Sequence, residues 1–78
     1  MRNVKDEVYY SVVYEFLALR DNTTPVIAKK LNLGVAKTSN IIDAYLRSDE
    51  NLTVLARETK NAESFLRVVL EDKKNEEK

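Results

Sequence analysis

The chain has 78 residues, room for one domain, and a domain this small buries only about 60% of the surface its unfolded chain exposes. It contains no cysteine and no histidine. That removes disulfides and thiolate metal sites as reinforcement, together with the usual general base and thiol nucleophile. Thirteen basic residues balance thirteen acidic ones, which argues against indiscriminate binding to nucleic acid, although a phosphate backbone meets the local field rather than the total.

The charges are unevenly distributed. Residues 1–23 hold Arg2, Lys5 and Arg20 against Asp6, Glu7, Glu15 and Asp21. Residues 24–47 hold Lys29, Lys30, Lys37 and Arg47 against Asp43 alone, a net of +3, and 48–78 carry six bases against eight acids. Positive charge is therefore concentrated in the middle of the chain.

Other absences narrow the function classes. The only glycine is Gly34, so no glycine-rich phosphate loop exists. The serines have no activating base beside them, and Lys29 and Lys30 are expected on a solvated helix. The acidic pairs Asp6–Glu7, Asp49–Glu50 and Glu71–Asp72 suit helix ends and solvated faces better than a metal site. No enzyme activity, cofactor or small-molecule ligand is expected. The longest apolar-rich run, Val8 to Leu19, is broken by Ser11 and Glu15 and is too short to span a bilayer. MRNVKDEV lacks the apolar core of a signal peptide. A soluble cytoplasmic protein without a membrane partner is the expectation, and the lack of cysteine fits a reducing compartment.

One glycine and one proline leave little material for turns, which favours an all-α fold of four to five helices. Asn3 can cap a first helix over roughly 4–20, with Asp6 and Glu7 complementing its dipole. Val4, Val8, Val12, Phe16 and Leu19 form one apolar stripe at helical spacing. Tyr9, Val13 and Leu17 widen it, and Tyr10 and Tyr14 extend it again. The helix is thus apolar over more of its circumference than one small core requires. Either it is the central helix wrapped by the others, or its spare face joins a second copy of the chain.

RDNTTP, Arg20 to Pro25, ends that helix and starts the next. Thr24 is expected as N-cap, with Pro25 at the first helical position. The second helix runs to about Leu31, and Asn32 can take the left-handed conformation that stops it. A third helix follows from about Val35 to Arg47, with Ile41, Ile42, Tyr45 and Leu46 assigned to its inner side.

SDEN is a turn or cap cluster, and LTVLARETKNAESFLRVVL has two readings. As helices, Leu52, Leu55 and Ala56 make one short face, and Ala62, Phe65, Leu66, Val69 and Leu70 a better one. As strands, LTVLARE and SFLRVVL would form a hairpin around TKNA, the wing of a winged-helix fold. The alternation is imperfect and TKNA lacks the glycine that tight hairpins favour, so helices are preferred. A single domain over 1–72 is expected, with 73–78 a flexible polar tail.

TPVIAKKLNLGVAKTSNIIDAYL, residues 24–46, resembles the helix-turn-helix superfamily of bacterial and phage transcription regulators. The motif is taken to extend over 24–47. Ala28 falls where the two helices cross closely. Ile27, Leu31 and Leu33 seal the inside of the turn, Ile41 packs the second helix on the first, and Gly34 lies near the start of the recognition helix. Two positions depart from the pattern: Asn32 stands where glycine is usual, and Thr38 where valine or isoleucine is. Asparagine tolerates positive φ, and the threonine hydroxyl can bond a carbonyl one turn back.

The resemblance implies sequence-specific binding to double-stranded DNA, with the start of the 35–47 helix at base edges in the major groove. Val35, Ala36, Lys37, Ser39, Asn40 and Asp43 then face outward. Asn40 suits an adenine edge, Ser39 a base or phosphate, and Val35 and Ala36 thymine methyl groups. Lys29, Lys30 and Lys37 suit phosphates, as does the helix start near Thr23 and Thr24. A homodimer reading two half-sites is expected, its interface supplied by the first helix or by 62–70. The alternative is a protein-interaction or dimerisation domain of the same shape that does not bind DNA, for which Asp43 on the outward face counts.

Overall fold

A computed structural model describes residues 4–18 and 23–76. Among these the chain forms five helices and no strand: α1 Val4–Ala18, α2 Thr24–Leu31, α3 Val35–Arg47, α4 Thr53–Glu58 and α5 Ala62–Glu76. The expected cap Asn3, Leu19 of the apolar stripe and Arg20–Asn22 of the connection lie outside the described residues. The winged alternative is not needed, because both of its supposed strands are helical.

α1 is the central helix and touches each of the other four. Its apolar breadth serves two cores. On one side Val12 packs with Ile27 of α2 and Ile42 of α3, supported by Phe16, Leu31, Leu33 and Ile41. On the other, Tyr10 and Val13 pack with Tyr45, Ala56, Phe65 and Val69, drawn from α3, α4 and α5. Tyr14 lies against Phe65 with ring centroids 5.3 Å apart. At about 100° per residue, Val12 and Val13 point to different sides of the helix, which is how one helix feeds both clusters.

α2 begins one residue earlier than the sequence suggested. Thr23 is the extended residue (φ −68°, ψ 152°), and its carbonyl accepts the first helical bond from the Ile27 amide at 3.1 Å. Pro25 therefore stands second in the helix, where its missing N–H still costs no bond. The end of α2 is as expected: Asn32 has φ 56° and ψ 47°. Its amide bonds the Lys29 carbonyl at 3.3 Å, and the Leu33 amide bonds that of Ala28 at 2.8 Å. This pair of bonds around a left-handed residue is the Schellman arrangement, and Leu33 completes it by packing inward with Leu31.

α3 buries Thr38, Ile42 and Tyr45. The Thr38 hydroxyl donates to the Gly34 carbonyl at 3.0 Å, the back-bond expected of threonine at this position. Leu46 corrects the inner-face assignment, since it is 61% exposed. Thr38, Ile42 and Tyr45 fall within an arc of about 60° on a helix of this pitch. Leu46 lies roughly 80° from Thr38 by the same geometry, beyond the edge of the buried strip.

Tyr45 also organises the connection to α4, its phenolic oxygen accepting the Leu52 amide at 3.1 Å where that helix begins. α4 is six residues long and is held by burial of Ala56 and by the Thr59 hydroxyl, which donates to the Leu55 carbonyl at 2.9 Å. Asn61 caps α5, its Oδ1 accepting the Ser64 amide at 2.9 Å. α5 continues through Glu76. Residues 73–76, expected in a flexible tail, thus have helical backbone, consistent with a run free of proline and glycine. Residues 77–78 lie outside the described part.

Candidate nucleic-acid interface

The α2–turn–α3 unit carries the local positive charge and presents one continuous outward face. Val35, Ala36, Lys37, Ser39, Asn40 and Asp43 are all exposed. The helical period sorts them further. Ala36, Asn40, Asp43 and Arg47 follow one another at intervals of four, three and four residues, so they align down the ridge opposite the buried strip. Lys37 flanks this ridge on one side, and Val35 and Ser39 on the other. Arg47, exposed at the end of α3, joins this ridge as a candidate contact residue beyond those expected from the sequence. The spacing from Ala36 was the available signal.

The ridge has a firm backing. Thr38 and Ile27 are fully buried beneath it, and Ala28 is nearly so. Gly34 precedes α3 with an extended backbone (φ −69°, ψ 144°). A Cβ built there would meet nothing within 4 Å, so the glycine is not demanded by crowding. Neither Thr23 nor Gly34 closes its helix start with a side-chain hydrogen bond.

The α2 residues divide. Lys29 is exposed and Thr24 half-buried. Lys30 turns toward α1, where its Nζ lies 3.0 Å from Oε2 of Glu15. Glu15 is 5% exposed, and its Oε2 has no aligned hydrogen bond. The charges are therefore paired by distance, without the directional bond that would fully compensate burial. In the sequence Glu15 is an acid that interrupts an apolar run, with nothing to mark it as the partner of Lys30. No periodicity signal could have supplied it, because the pairing depends on how α1 crosses α2.

A second polar link lies outside this unit. The Tyr10 hydroxyl on α1 donates to Glu50 in the α3–α4 connection, 3.3 Å from Oε2. With Tyr45 bonding Leu52, it fixes the segment immediately beyond α3. Among the described residues no helix is long and apolar enough to cross a membrane.

Comparison of the chain with protein-family models, with characterised proteins and with solved structures gives no match.

Proposed function

We propose that this protein binds double-stranded DNA sequence-specifically, as a small cytoplasmic transcriptional regulator of the helix-turn-helix kind. The carrying observation is the outward ridge of α3. It bears small and polar side chains, is free of internal packing duties, and stands on a buried strip that holds it against α1 and α2. Ala36, Ser39 and Asn40 on that side are short enough to let a duplex approach the helix closely. In the groove, Asn40 reads an adenine edge, Ser39 a base or phosphate, and Val35 and Ala36 meet thymine methyls. Lys37 and Lys29 contact phosphates with the start of α2 at Thr23 and Thr24. Lys30 contributes less than its charge suggests, because Glu15 shares it. Two copies acting as a homodimer would place two such helices about one DNA turn apart and multiply few contacts into useful affinity.

Binding to mixed duplex pools should be measurable at low salt and weaken steeply as salt rises. Lys37→Ala should lower the slope of log affinity against log salt by roughly one. Absence of affinity for any duplex at low salt would sink the DNA reading. The second reading, a protein-binding domain, draws support from Val35 and Leu46, which are 53% and 61% exposed on α3. It predicts a co-purifying protein partner and no chemical-shift changes over 34–43 when duplex is added.

A further inference from the structure

Asp43 is the one acid in the window that carries the local positive charge. It sits on the outward ridge of α3, exposed, one turn beyond Asn40. Arg47 lies one further turn along, at the spacing that favours an ion pair, yet no ion pair or hydrogen bond engages Asp43 among the described residues. A carboxylate there repels phosphate. If the ridge enters the groove, Asp43 must therefore meet either water or a donor on a base.

We infer that Asp43 is a specificity-determining residue that selects cytosine close to an adenine held by Asn40. This rests on the DNA-binding reading of α3. The major groove offers a carboxylate only two donors, the N4 amino group of cytosine and the N6 amino group of adenine. Adenine carries the N7 acceptor beside its amino group, which opposes the second carboxylate oxygen. Cytosine has a C–H at the corresponding place, so its edge accommodates the whole carboxylate. Asn40 has the complementary requirement: its amide needs a donor and an acceptor side by side, and adenine N6 and N7 provide them. The two side chains rise about 4.5 Å apart along the helix axis. Successive base pairs are about 3.4 Å apart, which sets cytosine one or two steps from adenine. Arg47, free of Asp43, is left to take a phosphate beside the cytosine and offsets the acid's repulsion of the backbone.

The test is selection from a random duplex pool by the full chain and by Asp43→Ala, Asp43→Asn and Asn40→Ala. All three changes fall at exposed positions, and far-UV spectra of the variants check that each one folds. The wild-type site should contain cytosine one or two steps from adenine. Asp43→Ala should lose the cytosine alone, with affinity for the wild-type site falling on the order of tenfold. Asp43→Asn should move that position toward adenine, and Asn40→Ala should lose adenine while keeping cytosine. Two results would overturn the assignment and leave DNA binding intact. One is a wild-type site without cytosine in that interval; the other is an Asp43→Ala variant that keeps the wild-type site and tightens on every duplex. If the wild type enriches no duplex at all, the DNA reading and this assignment fall together.

Discussion

Lys29 and Lys30 are neighbours in the sequence with different duties in the fold. Lys29 projects into solvent, whereas Lys30, its side chain 52% exposed, neutralises a Glu15 that is almost wholly buried. Removing Lys30 strands a carboxylate beside the Val12–Ile27–Ile42 cluster, and an unpaired buried charge is far costlier than a lost surface pair. Lys30→Ala should therefore destabilise the protein by about 2 kcal/mol, below the usual cost for a fully buried pair because water reaches the ammonium. Lys29→Ala should change stability by less than about 0.5 kcal/mol. Urea unfolding of the two variants checks this, and equal midpoints would show that the Glu15 contact carries no weight. Replacing both partners, Glu15→Leu with Lys30→Leu, should recover much of the loss. Asn32 and Thr38 behave differently because their roles are local. The left-handed turn and the back-bond to Gly34 involve residues within five positions, and both are legible in the sequence.

At the scale of elements, α4 is the least self-sufficient. Isolated helices shorter than about 12 residues are marginal in water, and α4 has six. Its start depends on the Tyr45 hydroxyl, its middle on burial of Ala56 and its end on Thr59. Tyr45→Phe keeps the ring in the core and removes only the acceptor for the Leu52 amide. Hydrogen exchange should then accelerate over 52–59 by several-fold to tenfold, corresponding to a net hydrogen bond of about 1 kcal/mol. The amides of α3 should keep their protection; equal acceleration in α3 would mean that the hydroxyl supports the whole core instead. The C-terminal segment also explains why the wing was a real alternative. LTVLARE and SFLRVVL have β-branched residues and partial alternation, but the choice lies with the surface they cover. Phe65 and Val69 align on one helical face against α1, whereas a strand would send adjacent members of VVL to opposite sides.

For the whole molecule, the open question in the sequence was the excess apolar surface of the first helix. The fold answers it by placing cores on both sides of α1, so the surface once available for a second copy is occupied from within. The proposed homodimer is then left to α5, where Val68 is 39% exposed. Sedimentation should report a species of twice the 9.0 kDa chain mass, and Val68→Asp should shift it to the monomer. A 9.0 kDa species at high concentration would reject the dimer. The sequence by itself determined the first three helical stretches, the turn at Asn32 and the outward identity of Ala36, Lys37, Ser39, Asn40 and Asp43, while it left 52–70 open between helices and a hairpin. Those features follow from bonds and periodicities that reach only a turn or so along the chain. The tertiary structure alone decided that α1 has two buried sides, that Leu46 is left out, and that Glu15 holds Lys30. It also joined Tyr10 to Glu50, 40 positions apart. Such pairings depend on where helices cross, and a helical repeat specifies which face a residue occupies but not what that face will meet.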